Sequence, residues 1–229
     1  MADQQVDYGK ALDYWQSTPA TVDGVLGGFG NTVVPKVDIV GSQAFLRRLS
    51  TLSPNTFPNL TDQVGLDVGA GIGRITRNLL VKYCSRVDLL EPAAQFVAQA
   101  RLELADLPQV TEFYEKGMQD FVFEQKYAIV WCQWCLGQLP DEVLVEFLRK
   151  CADNLVPGGI IVAKENNSTT EDLYDDTDSA VTRTDASFRA IFEKAGLRLL
   201  LTSIQKGMPR ELFPVRMYAL APALKDRQI

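Results

Sequence analysis

The stretch Leu66-Asp67-Val68-Gly69-Ala70-Gly71-Ile72-Gly73-Arg74 gives the clearest indication of how this chain folds. The apolar run at 64–68 is typical of a buried parallel strand. Three glycines at alternate positions follow it, and residues 75–80 then have the apolar spacing of a helix. A strand, a tight glycine turn and a helix in this order begin a nucleotide-binding α/β unit.

The spacing of the glycines separates two classes of ligand. A dinucleotide site has the pattern G-x-G-x-x-G, but Arg74 occupies the place of its third glycine. Gly69, Gly71 and Gly73 form G-x-G-x-G instead. Asp67, just before them, puts an acid where a pyrophosphate would be repelled. We therefore expect a cationic ligand such as S-adenosylmethionine, with a tight turn that binds nothing as the alternative.

Composition limits the possible functions. The chain has 229 residues, 46% of them hydrophobic, and a net charge of −6. This is enough for one core with an appendage, and the acidic balance favours a cationic substrate over nucleic acid. The lack of a membrane span, of a signal peptide and of a disulfide framework for the four cysteines predicts a cytoplasmic protein, with the nucleus left open.

Histidine is absent from the sequence. This excludes Ser-His-Asp triads, imidazole bases and most catalytic zinc sites, so no metal is expected. Any proton transfer must use carboxylates, amides, tyrosines, lysines or a cofactor.

The N-terminal 52 residues are predicted to form a helical appendage or lid. Helices are expected at 6–16, at 18–26 with Thr18 as N-cap, and at 40–52 with Ser42 as N-cap. Glycines 27, 28 and 30 surround Phe29, and this group forms either a helix end and loop or a flexible lid lined by Trp15 and Phe29. A loop at 50–62 then leads into the sheet domain.

Residues 62–222 are predicted to form a Rossmann-like sheet domain, so the whole chain is one domain. Strands are expected at 64–68, 86–91, 111–116, 127–132, 160–164, 197–204 and 215–220. Helices are expected at 92–105, 141–153 and 186–195, the last one closed by Gly196. The sequence therefore predicts an α/β fold with seven mostly parallel strands. The polar, acidic connection at 166–185 is long and is expected to be functional.

Three positions at the predicted strand ends are candidates for ligand contacts. Glu91 lies about 20 residues after the glycines, where an acid binds ribose hydroxyls; the alternative is an ordinary strand-end carboxylate. Gln119 and Asp120 follow the third strand, where an adenine ring sits, and Asp120 could instead cap a helix before Phe121.

The fourth strand and the acidic connection supply further candidates. Trp134 either stacks on a flat or cationic group or belongs to the core. Cys132 and Cys135 form C-x-x-C, but no further zinc ligands are evident. Four aspartates between Asp172 and Asp178 form either a solvated loop or a cation-binding wall.

Seven features together resemble the protein N-terminal α-amino methyltransferases, most closely their fungal members. They are LDVGAGIGR (66–74), Glu91, GMQD (117–120), WCQWCLG (131–137), PGGIIVAKENN (157–167), DDTDSAVTR (175–183) and ATVDGVLGGFG (20–30). The resemblance covers nearly the whole chain. It implies a class I S-adenosylmethionine-dependent fold with extra N-terminal helices, and methylation of protein termini that read X-Pro-Lys or X-Pro-Arg, including those of ribosomal proteins.

The resemblance also implies roles for individual residues. Gly69, Arg74, Glu91, Gln119 and Gln133 would hold S-adenosylmethionine, with Arg74 meeting its carboxylate. A peptide channel would be lined by Trp15, Trp134, Asn166, Asp175 and Asp178. Trp134 would pack on the proline of the substrate, and Asn166 would hold its backbone.

Two positions depart from the family pattern. Gln138 stands where the family has histidine, and Phe213 replaces a tyrosine that contacts the substrate. We therefore expect Asp178 to accept the proton with Gln138 orienting it, and Asp175 to favour a basic third residue. A monomer is expected. The alternatives are a small-molecule amine methyltransferase and a cofactor-binding scaffold without catalysis.

Overall fold

A computed structural model describes residues 1–52 and 60–224. Within them, the strands are β1 (Val64–Val68), β2 (Arg86–Leu90), β3 (Val110–Tyr114), β4 (Tyr127–Gln133), β5 (Leu155–Asn166), β6 (Leu173–Asp175), β7 (Ala180–Thr182), β8 (Leu197–Ile204) and β9 (Val215–Pro222). All except β6 and β7 form one seven-stranded sheet in the order β3-β2-β1-β4-β5-β9-β8. β1 to β5 pair in parallel, whereas β9 is antiparallel to both of its neighbours. The predicted seven-stranded, mostly parallel sheet is confirmed.

Helices cover both faces of this sheet. They are α1 (Tyr8–Ser17), α2 (Val22–Val25), α3 (Val34–Leu52), α4 (Arg74–Asn78), α5 (Ala94–Glu103), α6 (Asp141–Asp153) and α7 (Asp185–Lys194). Side chains of α6 and α7 pack in one apolar cluster against one face, and those of α3 and α4 pack in a second cluster against the other. Successive strand residues alternate between the two clusters, which is why the central strands read as continuous apolar runs. No helix of the described residues has the length and apolarity to cross a membrane.

The structure corrects the predicted N-terminal boundaries. Helix α3 begins at Val34, so Ser42 is buried inside the helix and donates its hydroxyl to the Asp38 carbonyl rather than capping an end. The short α2 is capped by Thr21, which accepts from the Gly24 N–H, and not by Thr18, which ends α1. The predicted loop at 50–62 overlaps the end of α3, and its part at 53–59 lies outside the described residues.

The connection at 166–185 is more ordered than its composition suggests. Residues 173–175 (β6) and 180–182 (β7) pair as an antiparallel hairpin that carries Asp175 and Asp178. The N-terminal segment packs on this hairpin, because the Asp7 N–H donates to the Ser179 hydroxyl at 2.8 Å and Lys10 pairs with Asp176. The appendage and the acidic hairpin are thereby held together over the carboxyl edge of the sheet.

Candidate active site

Two adjoining cavities lie at the carboxyl edge of the parallel strands. The first has a volume of about 510 Å³ and the second about 330 Å³. Trp15, Val25, Trp134 and Gln138 line both cavities and form the boundary between them. The sheet order reverses direction between β1 and β4, and open α/β sheets bind ligands at such a switch point.

The glycine turn forms the floor of the first cavity. Gly69 has a φ of 63°, and a Cβ there would lie 2.4 Å from the Cβ of Cys135, so only glycine fits. Gly71 also lines the cavity, with a φ of 55°. Gly73 does not. Its position packs on Leu104, whose Cδ1 would lie 2.5 Å from an added Cβ, and it precedes α4 as the N-cap. Gly73 therefore does not reach the cavity, contrary to the prediction. Its lack of a side chain leaves room for Leu104 at the start of α4.

Glu91 ties the glycine turn to the end of β2. Its two carboxylate oxygens accept hydrogen bonds from the Gly71 and Ala93 N–H groups, each at 2.8 Å. Burial raises the pKa of Glu91 to about 7, although these two backbone donors act in the opposite direction. The residue faces the first cavity, so its remaining lone pairs are available to hydroxyl groups of a ligand.

Asp67 does not face the ligand cavity, contrary to the sequence-based expectation. Its side chain is 2% exposed and is not part of the lining of either cavity. One carboxylate oxygen accepts from both the backbone N–H and the hydroxyl of Thr76, at 3.0 and 2.7 Å. Alternate side chains of a strand point to opposite faces, and Asp67 points toward α4 rather than toward the ligand edge. It holds the helix that follows the glycine turn.

Arg74 and Gln133 share one buried partner. Both line the first cavity, and both donate to Asp38 of α3, at 2.6 Å from Arg74 and 2.9 Å from Gln133. Asp38 also forms an ion pair with Lys164, and both of those side chains are fully buried. Sequence reasoning missed Asp38 and Lys164, because neither belongs to a local motif.

The first cavity suits S-adenosylmethionine chemically. Its lining includes the Arg74 cation, the Glu91 carboxylate and the polar side chains of Gln119 and Asp120, together with apolar neighbours. The lining is mostly apolar with a few convergent polar groups, as in sites that bind most of a small molecule's surface. A side chain at Gly71 would project toward this cavity, since only Val25 atoms lie within 4 Å of the added Cβ.

The second cavity is built from well-separated segments. Of the predicted substrate residues, Trp15, Trp134 and Asn166 line it together with Phe29, Phe213, Asp175 and Asp178. Gln138 completes the predicted set. The structure therefore brings these residues together around one space. Phe213 is 40% exposed and lies at the outer side of this group.

Trp134 stands at the junction of the two cavities in an unusual backbone conformation. Its φ is 56°, a left-handed value that is rare for an aromatic residue and is typical of functional sites. Its N–H donates to the Lys164 carbonyl at 3.0 Å, and the Arg74 guanidinium lies 5.7 Å from the ring centroid. The indole Nε1 is buried without a hydrogen-bond partner, so a ligand carbonyl could accept from it.

Asp178 lines the second cavity with one carboxylate oxygen free of protein partners. It is half-buried, its Oδ1 is buried without a partner, and its Oδ2 accepts from the Gln138 amide at 3.4 Å. Desolvation and the neighbouring Asp175 raise the pKa of Asp178, which makes it a stronger base than an ordinary aspartate. Asp175 itself is exposed at the rim of the second cavity.

Two further residues, missed in the sequence, hold the turn that carries Trp134 and Gln138. Glu165 accepts from the Cys135 and Leu136 N–H groups at 3.0 Å each, and burial raises its pKa to about 7. Arg183 is fully buried, donates to the Leu136 and Leu139 carbonyls and pairs with Asp141. In the sequence, only the position of Glu165 as a charged residue at the end of a buried strand indicated a functional role.

Comparisons with known proteins agree with this geometry. The sequence model of a family described as AdoMet dependent proline di-methyltransferase matches residues 3–221. The chain is 42% identical to the alpha N-terminal protein methyltransferase 1 of Schizosaccharomyces pombe, over 96% of this chain and 98% of that protein. It is 40% identical to the human N-terminal Xaa-Pro-Lys N-methyltransferase 1, over 95% and 96%. A solved SAM-dependent methyltransferase from Leishmania major superposes with a TM-score of 0.85 at 40% identity, over 93% of this chain and 82% of that one.

Proposed function

The chain belongs to the family of AdoMet-dependent proline di-methyltransferases, and we propose that it methylates proteins whose exposed N-terminus reads X-Pro-Lys or X-Pro-Arg. It is an enzyme of the class I methyltransferase fold that uses S-adenosylmethionine to methylate protein N-terminal amines. We propose the recognised tripeptide on two grounds. The names of its relatives suggest it, and the second cavity supports it.

One observation carries the proposal: a second cavity, with an acidic rim, opens directly onto the cavity that suits the methyl donor. The two spaces meet at Trp134 and Gln138. An amine that enters from the acidic side would therefore reach the donor only at this junction. Asp175 at the rim gives a basic third residue of the substrate a carboxylate to pair with.

The aromatic and amide groups of the second cavity suit the first two substrate residues. We propose that the Trp134 ring packs on the proline, which presents a rigid apolar surface. Asn166 lies at the end of β5, lines the same cavity and would fix the peptide backbone by hydrogen bonds. Trp15 of α1 and Phe29 close the cavity from the appendage side.

The proposed chemistry is an in-line displacement by the lone pair of the α-amine. S-adenosylmethionine supplies an electrophilic methyl group on a sulfonium. An α-amine with a pKa of about 7.7–8.0 is roughly one tenth neutral at pH 7, far more than a lysine side chain. Asp178 would take up the proton, directly or through water, and the walls of the cavity would align the amine. A carboxylate beside the amine also stabilises the ammonium form, so alignment has to offset that cost.

Ribosomal proteins are the substrates that we propose for the cell. They are basic, and the net charge of −6 on this chain favours basic partners. Electrostatic attraction between oppositely charged proteins raises their association rate at moderate salt.

Mass spectrometry of peptides incubated with the enzyme and S-adenosylmethionine tests the proposal. A Ser-Pro-Lys peptide should gain methyl groups at its α-amine, whereas its N-acetylated form should gain none. Ser-Ala-Lys and Ser-Pro-Gln peptides should react more slowly, by about tenfold. Faster methylation of small free amines than of the Ser-Pro-Lys peptide would contradict the proposal and favour a metabolite methyltransferase. Cofactor binding without methylation of any of these compounds would favour a scaffold.

A further inference from the structure

A buried ion pair lies behind the Arg74 side chain. Asp38 comes from α3 and Lys164 from near the carboxyl end of β5, and both side chains are fully buried. Neither lines the first cavity, whereas Arg74 does. Unpaired buried charges are costly, so the charges of Asp38 and Lys164 determine the net charge of the group to which Arg74 belongs.

Lys164 is surrounded by hydrogen-bond acceptors. Its Nζ donates to the Asp38 carbonyl at 3.0 Å, to the Ser42 hydroxyl and the Gln205 Oε1 at 2.9 Å each, and to the Asp38 carboxylate. The Gln205 amide nitrogen donates to the carbonyls of Val37 and Lys206, so the Gln205 oxygen must face the lysine. Burial lowers the pKa of Lys164, and Asp38 acts in the opposite direction. A nitrogen facing only acceptors is expected to hold three protons and a positive charge.

The carboxylate of Asp38 is shared between this lysine and the cavity. Its Oδ1 accepts from Lys164 and from the Gln133 amide, and its Oδ2 accepts from Arg74 at 2.6 Å. The cluster thus contains two cations and one anion. Arg74 is the charged member of this cluster that reaches the first cavity, so the surplus positive charge is presented there.

We propose that Lys164 is a positioning residue for the methyl donor: it neutralises Asp38, so that Asp38 fixes the Arg74 guanidinium without cancelling its charge. Arg74 then remains electrostatically free to hold a ligand carboxylate in the first cavity. The inference rests on the proposed contact between Arg74 and the carboxylate of S-adenosylmethionine. It adds a residue that never touches the ligand but sets the charge available to it.

The test measures the binding of two ligands to a Lys164→Met variant by titration calorimetry. S-Adenosylhomocysteine carries the amino-acid carboxylate, whereas 5′-methylthioadenosine has the adenosine and the sulfur without it. The Kd of S-adenosylhomocysteine should rise by about tenfold, as expected when one charge-assisted contact is weakened. The Kd of 5′-methylthioadenosine should change by less than about twofold, since it makes no use of Arg74. Equal weakening of both ligands, or of neither, would overturn the inference.

A double variant, Asp38→Asn with Lys164→Met, keeps the test decisive even if the single variant fails to fold. It removes one negative and one positive charge, so Arg74 keeps its surplus. S-Adenosylhomocysteine should then bind within about threefold of wild type. Binding as weak as that of Arg74→Gln would overturn the proposed role of Lys164.

The Arg74→Gln variant separates the failure of this inference from that of the proposed function. It should weaken S-adenosylhomocysteine and leave 5′-methylthioadenosine unchanged. If it weakens neither, the donor carboxylate does not lie at Arg74, and the proposed placement of the donor is wrong. If it weakens S-adenosylhomocysteine while Lys164→Met does not, only the inference about Lys164 is wrong.

Discussion

The two cavities differ in how their polar groups are satisfied. In the first, Glu91 holds two backbone N–H groups and Arg74 is held by Asp38, so the charged groups are fixed by the protein itself. In the second, Asp178 Oδ1 is buried without a partner, and so is Trp134 Nε1 at the shared boundary. The first cavity is therefore preorganised for one ligand, whereas the second keeps hydrogen-bonding capacity for a ligand to use.

The cavities also differ in how the chain builds them. The first is built around the glycine turn, with further residues from the ends of β2 and β4, from 115–120 and from one face of α1, so the appendage contributes to both cavities. The second needs the appendage, the β4 turn, the acidic hairpin and the residues before β9. A substitution that lines only one cavity should therefore change the affinity for one ligand and not for the other, whereas a substitution at the boundary should change both.

The largest expected effect is on turnover, from Asp178→Asn in the second cavity. The substitution removes the half-buried carboxylate and keeps its shape, so kcat should fall by about 100-fold or more, as for other lost general bases. The Kd of S-adenosylhomocysteine should stay within about twofold, because Asp178 does not line the first cavity. Single-turnover kinetics and calorimetry measure the two quantities.

Asp176→Asn is the matched control for this variant. Asp176 lies two residues away in the same hairpin, is 85% exposed and contacts Lys10 rather than the cavity. Its loss should change kcat by less than about twofold. An equal loss of turnover and donor affinity in Asp178→Asn would mean that the hairpin supports both cavities, and the comparison between them would fail.

The reverse pattern is expected for Glu91→Gln in the first cavity. The carboxylate accepts two backbone N–H groups, and an amide can replace only one of these acceptors, so the turn at Gly71 is displaced. The Kd of S-adenosylhomocysteine should rise by about tenfold, while the KM of the peptide at saturating donor should stay within about twofold. Glu112→Gln, on the exposed part of β3, is the control and should change neither quantity. A larger change in the KM of the peptide than in donor affinity would contradict the separation of the two sites.

Much of the fold was predictable, because local patterns specify it. β1, β2, β4 and the helix closed by Gly196 lie within one residue of their predicted bounds, whereas β5 begins at Leu155, well before the predicted start at 160. The predicted start of α3 was wrong, because Ser42 suggested an N-cap, whereas the helix begins at Val34. Proline is tolerated in a first turn, and a Cβ at Gly41 would lie 2.1 Å from the Gln205 Oε1, so a larger residue there would displace the Gln205 amide.

The candidate site was predictable where residues follow a strand end, and not where they act from a distance. Glu91 and Gln133 face the first cavity as expected. Asp38 and Lys164 are 126 residues apart in sequence, and no local pattern signals that they meet. Asp67 shows the converse error, because its place beside the glycines suggested a ligand contact, whereas alternation along β1 turns it toward Thr76.

The smallest expected effect is on the pH dependence of activity, in a Gln138→Met variant at the boundary between the two cavities. The Gln138 amide donates to Asp178 Oδ2 at 3.4 Å and lowers the pKa of that carboxyl, against the upward effects of burial and Asp175. Without this donor the ionised form is less stable, so the pKa of Asp178 rises further and the acid limb of kcat/KM moves to higher pH. Activity near pH 6 should therefore fall by about threefold, and activity at alkaline pH by less than about twofold.

Because the hydrogen bond is long, the effect is small, and pH profiles of kcat/KM measured with one peptide are needed to see it. A limb that stays in place would show that Gln138 does not assist Asp178, whereas a shift to lower pH would show that another group accepts the proton.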